Sequence, residues 1–64
     1  MLTEREMRVM ELLIEGKRDK EIASILGVSP RTVYLFTEQA REKMNVKTRI
    51  QAAVNFDRMR AAWP

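Results

Sequence analysis

Eight of the chain's 12 Lys and Arg lie between residues 16 and 49, against four of its 9 acids, so this stretch carries 8 − 4 = +4. Residues 1–15 carry 2 − 4 = −2 and residues 50–64 carry 2 − 1 = +1, for a net charge of +3. A local excess of ammonium and guanidinium groups attracts polyanions, and phosphate is an anion these groups hold well. Lys17, Arg18, Lys20, Arg31, Arg41, Lys43 and Lys47 are the phosphate-contact candidates, with the hydroxyls of Ser29 and Thr32 beside them. Arg49 belongs to the same basic set and is equally suited to a structural ion pair. Other chemistry is thinly supplied. There is no His and no Cys, so the commonest general base, the commonest metal ligand, a thiolate site and a disulfide framework are all missing. Carboxylate pairs such as Glu21 with Glu38, or Asp19 with Glu42, have no accompanying nucleophile. The residues therefore predict a binding module and not an enzyme, with no metal and no cofactor.

The elements that must position these groups are helical. Sixty-four residues make one small domain. No apolar run approaches the ~20 residues of a membrane span, so no membrane partner is expected and the predicted location is the cytoplasm. Thr3-Glu4-Arg5-Glu6 reads as a capping box, with Leu2 and Met7 as a hydrophobic staple, opening a first helix that Gly16 stops. Arg18 or Asp19 opens a second, Asp19 being the better cap by residue type; Gly27 ends it. Ser29-Pro30 starts a third, in which Val33, Thr37, Ala40 and Met44 fall on one stripe, and Asn45 terminates it. Thr48-Arg49-Ile50-Gln51 is a second capping box and begins a fourth helix. No period-two pattern marks a strand. The predicted fold class is all-α: a four-helix bundle without a wing.

The join between the second and third helices is the informative feature. Ala23, Gly27 and Val33 stand at offsets of four and ten. Two helices crossing steeply through a short turn need a small residue where they touch, a residue free to take positive φ in the turn, and an apolar anchor on the second helix. These three residues supply them in that order. The pattern predicts a helix-turn-helix at about residues 19–44, followed by a helix at about 48–62.

The segments Leu2–Glu6, Lys20–Ala23, Val28-Ser29, Thr32-Val33, Lys43–Val46 and Arg49–Val54 resemble the LuxR-type helix-turn-helix domain of bacterial transcription regulators. Region 4 of bacterial sigma factors shares the first half of this pattern, and Lys43–Val54 fits the LuxR type better. The resemblance implies a DNA-binding domain whose third helix enters the major groove of duplex DNA and whose fourth helix forms the dimer contact. Family members usually carry an N-terminal signalling domain, so the chain is either a stand-alone regulator or an excised C-terminal domain.

On a third helix so placed, Tyr34, Leu35 and Glu38 are the base-facing candidates, Leu35 against a thymine methyl and Glu38 accepting from a cytosine amine. The family often has Lys at the position of Tyr34 and His at that of Phe36. On the fourth helix, Ile50, Ala53 and Val54 form one apolar stripe, expected to face the core. Ala52, Phe56, Met59 and Trp63 form another, which with Asn55 is the expected homodimer interface. RNA polymerase or a related regulator is a further partner that a transcription regulator calls for. The alternative reading is a small interaction protein that pairs with a full-length regulator of the same family and blocks it.

Overall fold

Four helices follow one another in the computed structural model, which describes residues 1–62: α1 (Glu4–Ile14), α2 (Asp19–Leu26), α3 (Pro30–Met44) and α4 (Arg49–Ala61). Side-chain caps set most of the starts. Thr3 Oγ1 accepts the Glu6 N–H at 3.2 Å while Glu6 Oε1 accepts the Thr3 N–H at 2.8 Å. Thr48 and Gln51 make the same reciprocal pair at 3.1 and 3.2 Å. Ser29 caps α3 by accepting the Thr32 N–H, with Pro30 in the first turn. At the start of α2 the structure selects the other of the two candidates, Arg18 rather than Asp19. The Arg18 N–H is taken by Glu21 Oε1 at 2.8 Å, and Asp19 is already helical. The Asp19 carboxylate is committed elsewhere, to Arg49, and so does not cap its own helix.

The helix ends follow the αL rule. Gly27 (φ 70) and Asn45 (φ 57) turn the chain out of α2 and α3. The next N–H in each case reaches back five residues, Val28 to Ala23 O and Val46 to Arg41 O. Only three residues, Gly27 to Ser29, separate α2 from α3.

α1 lies against α3 and α4, and α2 packs chiefly on α3. The shared core comprises Val9, Met10, Leu12, Ile22, Ala23, Val33, Ala40, Ala52 and Phe56. Leu2, Met7, Leu13, Phe36 and Met44 close it from the sides. Two polar side chains are buried with it. Thr37 Oγ1 donates to the Val33 carbonyl at 2.9 Å. Glu6, 2% exposed, accepts from Lys43 Nζ at 2.7 Å as well as from Thr3. Burial pushes the Glu6 carboxyl up, but the bonds from Lys43 and Thr3 together with the Lys43 charge outweigh this and hold it below its ordinary value.

Candidate nucleic-acid interface

Because Val33, Thr37 and Ala40 are buried, helical geometry turns the opposite side of α3 to solvent. Arg31, Tyr34 and Leu35 are exposed there, the last two at 45% and 43%. The Arg31 guanidinium sits 5.7 Å from the centroid of the Tyr34 ring, close enough for a cation–π contact. Gln39, one turn beyond Leu35, is exposed on the same side. Sequence reasoning passed over it, although its i+4 spacing from Leu35 is the signal that places it there. Glu38 is half-buried and already engaged: Arg41 Nη2 and Nε donate to its two carboxylate oxygens at 2.9 and 3.2 Å. Those bonds from Arg41 hold its carboxyl below the ordinary value against partial burial, and the charges of Arg41 and Arg49 add to the effect.

The basic candidates divide into two groups. Arg41 is tied to Glu38 and also donates to the Val46 carbonyl at 3.1 Å. Lys43 is tied to Glu6. Arg49 bonds Asp19 through both terminal nitrogens, at 2.7 and 3.3 Å, which makes it the structural residue of the set. Among the described residues, Lys17, Arg18, Lys20, Arg31 and Lys47 form no ion pair with an acid. Lys17, Arg18 and Lys20 cluster around the N-terminus of α2, where backbone N–H groups and the helix dipole also favour an anion. Lys47 lies in the turn between α3 and α4. Ser29 and Thr32 share a hydroxyl–hydroxyl hydrogen bond of 3.0 Å; whichever donates, the other hydroxyl keeps its hydrogen for an external acceptor.

The helix-four assignment is reversed in part. Ala52 and Phe56 are 0% exposed and belong to the core, so they are not at an interface. The outward apolar residues are Ile50 and Val54, at 73% and 44%. The reason is packing: Ala52 and Phe56 both belong to the shared core, where the small Ala52 permits close approach of α4 and the bulky Phe56 fills interior volume. Asn55 is half-buried and Met59 is 43% exposed; they line a groove with Leu2, Met7 and Met44, on a different side of α4 from Ile50. Trp63, expected at the interface, lies outside the described residues.

No group of three or more acids among the described residues is placed to hold a metal ion, and none of their helices is long and apolar enough to cross a membrane.

Comparison with known proteins accords with this geometry. Residues 1–56 match the family described as bacterial regulatory proteins, luxR family. Over 59 residues, 92% of this chain and 80% of the relative, it is 48% identical to spore germination protein GerE of Bacillus subtilis (strain 168). It is 39% identical over 62 residues to the nitrate/nitrite response regulator protein NarP of Escherichia coli (strain K12), covering 97% of this chain and 29% of the relative. With transcriptional regulatory protein DesR of Bacillus subtilis (strain 168) it shares 45% over 51 residues, 80% of this chain and 26% of the relative. The chain thus spans most of GerE and under a third of NarP and DesR. NarP and DesR are regulatory proteins by name. The chain belongs to the luxR family of bacterial regulatory proteins, and its four helices are the all-α helix-turn-helix DNA-binding domain of that family.

Proposed function

We propose that this DNA-binding domain is a sequence-specific transcription regulator acting in the cytoplasm, with α3 in the major groove and two copies paired through α4. The observation that carries the reading is the distribution of uncommitted groups. Arg31, Tyr34 and Leu35 project from the first half of α3. Lys17, Arg18, Lys20 and Lys47, free of ion pairs among the described residues, lie at the start of α2 and after α3. Base-edge readers bordered by phosphate binders are what a helix docked in the groove requires. Pairing uses the outward stripe Ile50 and Val54, because a second copy would remove from water the apolar surface that the core leaves uncovered.

Selection from a random-sequence duplex pool tests this directly. Enrichment of a palindrome with half-sites about one helical turn apart is the expected result. Affinity should fall with salt at a slope near −0.9 per phosphate contacted, and Lys20→Ala should flatten that slope by about 0.9 on every duplex alike. A flat salt response, or binding to a related regulator without binding to DNA, overturns the reading in favour of an interaction protein.

A further inference from the structure

The recognition helix holds one of its own cations in check. Arg41 meets Glu38 as a fork on a carboxylate, with Nη2 and Nε on the two oxygens at 2.9 and 3.2 Å, while Nη1 donates to the Val46 carbonyl at 3.1 Å. All three guanidinium nitrogens are therefore engaged inside the protein. The two side chains are 25% and 30% exposed, so the pair is partly sheltered from water. Two of the five N–H donors of Arg41 remain, one on each terminal nitrogen, but the Nε–Nη2 fork that a phosphate would grip bidentately is already filled by a carboxylate that neutralises the charge.

We propose that Glu38 is an internal brake on DNA binding: it serves as counter-ion to Arg41 and withholds that side chain from the phosphate backbone. The inference rests on the DNA-binding reading and adds a determinant of overall affinity to it. Non-specific affinity comes almost wholly from phosphate contacts, whereas base-edge contacts from Tyr34 and Leu35 do not involve Arg41. Withholding one cation weakens binding to every sequence and leaves the preference for the right one intact. Glu38 is thus removed from the base readers that residue type and helix face alone suggest. It acts through Arg41, as a positioning residue.

The test is a titration of wild type, Glu38→Gln, Arg41→Gln and the double variant against a random-sequence duplex between 50 and 200 mM salt. Circular dichroism melts of each protein run alongside. Glu38→Gln should bind more tightly, with a log–log salt slope steeper by about 0.9, so its advantage over wild type shrinks roughly 3- to 4-fold across that range. The double variant should return to the wild-type slope, and Arg41→Gln should affect the slope only where Glu38 has been replaced. A Glu38→Gln protein that binds more tightly with an unchanged slope overturns the brake, because no further phosphate has then been neutralised. A double variant that keeps the steeper slope overturns it as well. So does loss of discrimination at one base pair with no change on random DNA, which would make Glu38 a base reader. If Arg41→Gln proves unfolded, Arg41→Met, which keeps the aliphatic stem, takes its place in the single and the double variant. Failure of the DNA reading itself is seen separately, as an absence of salt-dependent binding by wild type, and it removes the brake with it.

Discussion

Arg49 grips Asp19 across 30 residues of sequence, joining the first turn of α4 to the first turn of α2. The contact pins the rotation of α4 at its start, which helps to decide that Ala52 and Phe56 face inward. The hydrogen bonds that Arg49 donates to Asp19 raise its guanidinium further above its already high ordinary value, so Arg49 keeps its charge. Both side chains are about a third exposed or more, which limits the strength of the pair. A double-mutant cycle of Arg49→Gln and Asp19→Asn should give a coupling of about 0.2–1 kcal/mol. Each kcal/mol corresponds to roughly 4–8 °C in melting temperature for a domain of this size. Strict additivity of the two substitutions would show that the contact does not couple the helices.

Acid sensitivity should trace to Glu6. Its carboxyl titrates below the ordinary value in the folded chain and at that value in the unfolded one. The unfolded state therefore binds the proton first as pH falls. The Glu6 contribution to stability is complete above the ordinary carboxylate range and is lost as pH drops through the lowered folded value. Glu6→Gln should lower stability at pH 7 and flatten the acid limb of a stability-versus-pH curve relative to wild type. Parallel curves for the two proteins would assign the acid response to other carboxylates.

Substitutions on α4 should separate folding from pairing. Phe56→Ala empties a fully buried site and should cost about 3–5 kcal/mol, much of the stability of so small a domain. Val54→Glu and Ile50→Glu replace exposed residues and should stay helical while failing to dimerise. Sedimentation on wild type and both variants checks this. Identical monomer profiles at high protein concentration, with and without DNA, would rule out pairing through α4.

Leu35 offers a test of base reading at the level of one methyl group. Replacing a contacted thymine by deoxyuridine removes only the C5 methyl from the major groove. For wild type this should weaken binding about 4-fold, the equivalent of roughly 0.8 kcal/mol per buried CH₂. Leu35→Ala should bind the two duplexes almost equally. Equal sensitivity in both proteins would place Leu35 away from the thymine.

The number and limits of the helices were readable from the residues alone because local chemistry sets them. Thr3 with Glu6 and Thr48 with Gln51 satisfy their own helix starts. Gly16, Gly27 and Asn45 take the positive φ that ends a helix. The buried stripe of α3 was readable for a related reason: Val33, Thr37 and Ala40 recur at helical spacing on one face. Three things depended on tertiary structure. Two apolar stripes on α4 competed in sequence, and the volume left between α1 and α3, with the Arg49–Asp19 contact at the helix start, chose Phe56 over Ile50 and Val54. Asp19 had the right residue type for a cap, yet Arg49 from another helix claimed its carboxylate. Lys43 and Arg49 found partners 37 and 30 residues away, and Arg41 found one on its own helix, where i,i+3 spacing permitted the pair without requiring it. Net charge counts such cations as free, whereas packing decides which acids lie within reach and therefore which cations remain available to a phosphate.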